Sequence, residues 1–91
     1  MIVTLAEGKE YLRIDGDAED TTVENLLKSA INLCADVSRL SESDFESAGD
    51  VAKTAVLYTL GYFYEHREDG DHHALTLTLR SLLFGIRGGG F

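Results

Sequence analysis

The sequence predicts a small all-α protein: a bundle of about four helices, two long and two short, with no sheet. Three observations lead there. The chain of 91 residues contains no proline, so the strongest helix breaker is missing. Its apolar residues recur over long stretches with a period near that of a helix. Serine and threonine stand three residues ahead of glutamates, the pattern of capped helix starts. A chain this long makes one domain that buries roughly 60–65% of its unfolded surface. Residues 1–87 are read as that domain and 88–91 as a flexible glycine-rich tail.

The first short helix follows from Thr4-Leu5-Ala6-Glu7, a capping box in which Thr4 is the N-cap and Glu7 reaches back to its amide. Residues 5–12 then place Leu5, Gly8, Tyr11 and Leu12 on one face. Ile14-Asp15-Gly16-Asp17 ends the element, because Gly16 takes a left-handed backbone at little steric cost. Asp20 or Thr21 opens the second helix, with Thr21-Thr22-Val23-Glu24 as a second capping box. Val23, Leu26, Leu27, Ala30, Ile31, Cys34 and Val37 give a helix of about five turns with a single apolar stripe, opposite Glu24, Lys28, Asn32, Asp36 and Arg39. Residues 40–49 are rich in serine and acid. Ser43-Asp44-Phe45-Glu46 resembles a third capping box, so the next helix starts there or at Asp50.

From Val51 to Tyr64 the chain is apolar on much more than one side: Val51, Ala52, Ala55, Val56, Tyr58, Leu60, Tyr62, Phe63 and Tyr64. Such a helix lies in the centre of a core or is shared with a neighbouring subunit. Tyr58, Tyr62 and Tyr64 suit an interface, where aromatic rings give large contact area with a polar tip. Residues 65–70 break the pattern. Leu75-Thr76-Leu77-Thr78-Leu79 alternates like a strand, but Leu75, Leu79, Leu82, Leu83 and Ile86 fit a helix equally well. A lone strand would have no partner for its ladder. A helix over about 74–84 is therefore expected, with helix, strand and loop all open for residues 70–79.

Charge divides the chain. Residues 1–50 hold twelve acids and four bases, and residues 51–91 hold four of each, so the net of −8 arises before Val51. That balance argues against a surface gripping DNA phosphates, and no helix is basic enough to be a recognition helix. Motifs for catalysis or metal binding are weak. An EF-hand reading from Asp15 fails at position 6, which is Asp20, and at position 12, which is Leu26. Asp69, Asp71, His72 and His73 lie close in sequence without a distant ligand. His66 stands beside Glu65 and Arg67, where a surface ion pair is the ordinary reading. Gly85-Ile86-Arg87-Gly88-Gly89-Gly90 has no strand before it or helix after it, so it is not a phosphate loop. Cys34, the one cysteine, lies on the apolar stripe and reads as a buried thiol. No signal peptide and no membrane-spanning run is visible. The expectation is a non-enzymatic protein made in the cytoplasm, needing no cofactor or metal and touching no membrane.

Three stretches, taken in order, resemble a known family. They are Met1-Ile2-Val3-Thr4-Leu5 continuing to Glu10-Tyr11-Leu12-Arg13-Ile14-Asp15-Gly16-Asp17, the long helix around Ala30-Ile31, and Val56-Leu57-Tyr58 continuing to Tyr64-Glu65-His66-Arg67-Glu68, followed by Leu82-Leu83 and Ile86-Arg87. Together they are similar to the small head–tail connector (DNA-packaging) proteins of long-tailed phages and prophages. The family often has a proline before its third and fourth helices, which this chain lacks.

The resemblance implies an all-α subunit of a ring of about a dozen copies, with head-to-tail contacts between different patches. Such a ring docks below the portal protein at the virion head–tail junction, extends the DNA channel and receives the tail-side completion protein. DNA passes through without specific binding. The matched positions Tyr11, Leu12, Ile14, Asp15, Tyr64 and Arg67 would be structural anchors. Subunit contacts would fall to Tyr58, Tyr62, Phe63, Leu79, Leu83 and Phe91. Asp15, Asp17, Glu19 and Asp20 would face solvent or the channel, where an anionic wall repels phosphate. The alternative is a small acidic helical module that covers a partner's basic surface.

Overall fold

The computed structural model describes residues 2–66 and 73–83. Among them are five helices and no strand: α1 Leu5–Leu12, α2 Asp20–Ser38, α3 Glu42–Glu46, α4 Asp50–Glu65 and α5 His73–Leu82. The all-α class is as expected. The additional helix, α3, arises because the segment before α4 forms a separate turn of helix. Arg67, His72, Phe91 and the 88–91 tail, for which the sequence suggested roles, lie outside the described residues.

The three capping patterns have different outcomes. Thr4 does cap α1: its hydroxyl accepts from the Glu7 amide at 3.1 Å, and Glu7 Oε1 accepts from the Thr4 amide at 3.1 Å. The Thr21 box does not form. Helix α2 begins at Asp20 with Glu19 as its cap, and Thr21 is already helical. The third pattern is shifted by two residues. Ser41, not Ser43, caps α3 and accepts from the Asp44 amide at 3.1 Å. Gly49, at φ 71°, makes the turn into α4. Its site is sterically open, so the backbone angle and not crowding favours glycine there.

Helix α1 ends on Arg13 (φ 60°) and α2 on Arg39 (φ 61°), both left-handed without glycine, while Gly16 (φ 81°) turns the connection. A cation at a helix C-terminus interacts favourably with the exposed carbonyls, which offsets part of the backbone strain.

Helices α2 and α4 form the central antiparallel pair. The start of α2 meets the end of α4 through Glu19 and Tyr64, and Cys34 further along α2 meets Thr59 earlier in α4. Their apolar stripes supply Leu27, Ala30, Ile31, Cys34, Ala52, Ala55, Val56 and Leu60 to one core. Phe45 of α3 caps that core, fully buried. From α5 and the residue after it, Leu75, Leu79 and Leu83 enter at i, i+4 and i+8, so the helical period prevails over the alternation of residues 75–79. Burying a side chain of this size contributes roughly 1.5–3 kcal/mol.

One polar relay crosses the core. The Thr59 hydroxyl has a single proton, which it donates to the Ala55 carbonyl at 2.8 Å. Its lone pair is then the acceptor for the Cys34 thiol, 3.3 Å away. Burial pushes that thiol up from 9.0 to about 11. The folded chain thus keeps a proton that the unfolded chain releases at lower pH. The contribution is complete below pH 9.0 and is lost as pH rises through about 11. Chemical denaturation from neutral to alkaline pH should show wild type losing roughly 2–3 kcal/mol more than Cys34→Ala. The folded thiol should also react with a thiol reagent at least about a hundredfold more slowly than the unfolded one.

A tyrosine-lined groove as the candidate functional site

Helix α1 lies across α2 and α4, and its approach depends on two glycines. A Cβ on Gly8 would stand 3.0 Å from Leu60 Cδ2, so α1 has no side chain where it meets α4. One turn further on the relation reverses. A Cβ on Gly61 would stand 3.2 Å from Tyr11 Cε2, so the Tyr11 ring lies against bare α4 backbone. Two ion pairs hold the sides of this contact. Lys53 of α4 pairs with Glu7, and Lys9 of α1 pairs with Asp20 of α2 at 2.7 Å. The Lys53 and Thr4 hydrogen bonds hold the Glu7 carboxyl below its usual range. This support is present above the ordinary carboxylate pKa and lost as pH falls through the lowered one.

The end of α1 and the last turns of α4 thereby enclose an open groove of about 650 Å3. Tyr11, Leu12 and Arg13 form one wall, and Tyr58, Gly61, Tyr62, Tyr64, Glu65 and His66 the other. Tyr11 is 50% exposed and Tyr58 41%. Tyr62 and His66 stack with centroids 4.2 Å apart, and His66 Nδ1 lies 3.0 Å from the Tyr62 carbonyl. The Tyr64 hydroxyl donates to Glu19 Oε2 at 2.8 Å, tying the floor of the groove to the start of α2. Among the described residues no group of three or more His, Cys, Asp or Glu could hold a metal ion. What the groove offers is half-exposed aromatic area with one acid, one guanidinium and a histidine at its edges. Half-exposed rings of this kind give large contact area with a polar tip.

The expected site residues separate into distinct groups. Tyr58 and Tyr62 do line the groove, and Phe63 is half-buried against the core. Leu79 and Leu83, expected at a subunit contact, are instead fully buried in the chain's own core. They follow the inner stripe of α5, and the leucines left outside are Leu77, at 48% exposure, and Leu82, at 39%. Tyr11 is an anchor against Gly61 and also a groove wall. Leu12 and Ile14 are half-buried.

The acidic cluster divides as well. Asp15 and Asp17 are exposed, whereas Glu19 and Asp20 are half-buried and engaged by Tyr64 and Lys9. Those two act as tethers between helices and not as open anionic wall. Sequence reasoning missed Gly8 and Gly61 as the contacts that shape the groove. A glycine inside an otherwise apolar helix was the available signal for a close approach.

Helix α2 is the longest of the described helices but is not apolar enough to cross a membrane, and neither is any other. No protein-family model, curated protein or solved structure matches this chain.

Proposed function

We propose that this chain is a structural subunit of a phage head–tail junction. In that role it assembles as a ring of about a dozen copies below the portal, extends the DNA channel and receives the next tail-side protein. The observation that carries this reading is the convergence of Tyr11–Arg13 with Tyr58–His66 on one groove. These are two of the stretches that resemble connector proteins, and together they form an open groove lined by Tyr11, Tyr58, Tyr62 and Tyr64. The exposed Asp15 and Asp17 add negative charge without an ion pair among the described residues, as suits a wall past which DNA slides.

Light scattering after size exclusion, over a range of protein and salt concentrations, tests the proposal. A closed species near a dozen 10.0 kDa subunits, strengthened by salt that screens acidic repulsion, is expected. Tyr58→Ala should weaken assembly by roughly 30-fold, as truncation of an aromatic hot spot does. It should leave the thermal midpoint of the subunit nearly unchanged, because the ring is half exposed. A chain that stays monomeric, does not bind portal and instead captures a basic protein would favour the acidic-module alternative.

A further inference from the structure

Taking the ring as the working frame, we infer that successive subunits join by seating the outer face of α5 of one copy in the tyrosine groove of the next. The partner for the groove is thus a second copy of this chain, presenting Leu77 and Arg80.

The argument begins with where the two surfaces lie. The groove sits at the start of α2, beside Glu19. At the other end of α2, Thr76 and Arg80 of α5 stand next to Asp36, Val37 and Arg39 around a small depression of about 280 Å3. The 19 residues of α2 put the two sites about 27 Å apart along its axis. Leu77 follows Thr76 and precedes Arg80 by three positions, so Leu77 and Arg80 share the exposed face of α5. A head-to-tail ring needs two different, complementary patches on well-separated parts of the subunit. An exposed leucine at one end and an exposed aromatic groove at the other supply them.

Charge agrees with this pairing. All three lysines are paired within the chain, to Glu7, Asp20 and Glu24. The three described arginines, Arg13, Arg39 and Arg80, are exposed and have no acidic partner among the described residues. Three of the six described lysines and arginines are therefore left without an acidic partner among the described residues, in a chain of net charge −8. Two of them, Arg39 and Arg80, belong to the α5 end with Asp36, while the groove carries Glu65 beside Arg13. Each end thus carries a charge the other can meet: Arg80 has Glu65 in the groove, and Asp36 has Arg13. Arginine and tyrosine are also the side chains most enriched where interfaces concentrate their binding energy.

Complementation of two full-length variants tests the contact. Leu77→Asp keeps its groove and loses its α5 face, and Tyr58→Asp does the reverse. By sedimentation across a concentration series, each variant alone should self-associate at least tenfold more weakly than wild type. An equimolar mixture should form a heterodimer of twice 10.0 kDa and nothing larger, because one sound contact remains. The charge reversals Arg80→Glu and Glu65→Arg should each weaken wild-type association, and the double variant should recover it. Circular dichroism establishes that every variant is folded. If wild type assembles but the mixture stays monomeric and the double reversal recovers nothing, this contact is wrong while the ring reading survives. A wild type monomeric at every concentration overturns the contact as a self-association, leaving the ring reading to the portal-binding assay.

Discussion

Replacing Phe45 with alanine should lower the unfolding free energy by about 3–5 kcal/mol, the range for deleting a fully buried aromatic side chain. The size follows from the position of the ring. Helix α3 has five residues, far too few to be stable in isolation. Of its residues whose side chains are described, only Phe45 is buried; Ser43, Asp44 and Glu46 are exposed. The ring therefore does two things: it fills the space between α2 and α4, and it attaches the 41–49 segment to them. Removing it leaves a cavity and releases the segment. Against a total stability of roughly 5–15 kcal/mol for a domain of this kind, this would be the most damaging single truncation. Urea denaturation of Phe45→Ala beside wild type measures it. A loss below about 1 kcal/mol would mean that α3 is not packed in solution.

Gly8→Val should have the next largest effect, about 1–3 kcal/mol, the usual range for overpacking. The valine Cβ would stand 3.0 Å from Leu60 Cδ2 and 4.0 Å from both Leu27 Cδ2 and Val23 Cγ1. Its two methyl groups have nowhere to go in that corner, so α1 must move away from α4 or Leu60 must leave its place. Gly8→Ala separates the causes. There the added helix propensity, about 1 kcal/mol, opposes the same single contact, and the Leu60 methyl is the end of a flexible side chain that can turn. Near-neutral stability is expected for alanine and a clear loss for valine, both read by thermal and urea unfolding. Equal losses for the two would place the cost in the backbone at position 8, not in the α1–α4 contact.

Which features could be read from the sequence depended on how far apart the interacting residues were. The Thr4 box involves groups three residues apart, and it formed as read. The Thr21 box failed because Asp20, one residue earlier, is already helical and holds Lys9 from another helix. At residues 41–46 the same spacing occurs twice, and the start that buries Phe45 is the one adopted. Of the residues that periodicity put on one helical face, Leu75, Leu79 and Leu83 are buried, Leu82 is exposed, and Ile86 lies outside the described residues. Periodicity could not say what covers that face, which is why Leu79 and Leu83 were assigned to a subunit contact and proved to be core. The groove was the least legible feature. Tyr11 and Tyr58 were each recognisable as aromatic residues in helices, yet their meeting depends on Gly8 and Gly61 letting two distant helices touch.

The two walls of the groove belong to segments about fifty residues apart in sequence, and α1 is the lighter of them. Apart from its glycine contact and its partly buried apolar residues, α1 is held by two ion pairs, so it is the wall that opens more cheaply of the two. Whatever spans the groove must grip α1 and α4 together. Occupancy is then coupled to closure of α1, and the exchange rate of the α1 amides with solvent becomes a local gauge of how much of the protein is bound.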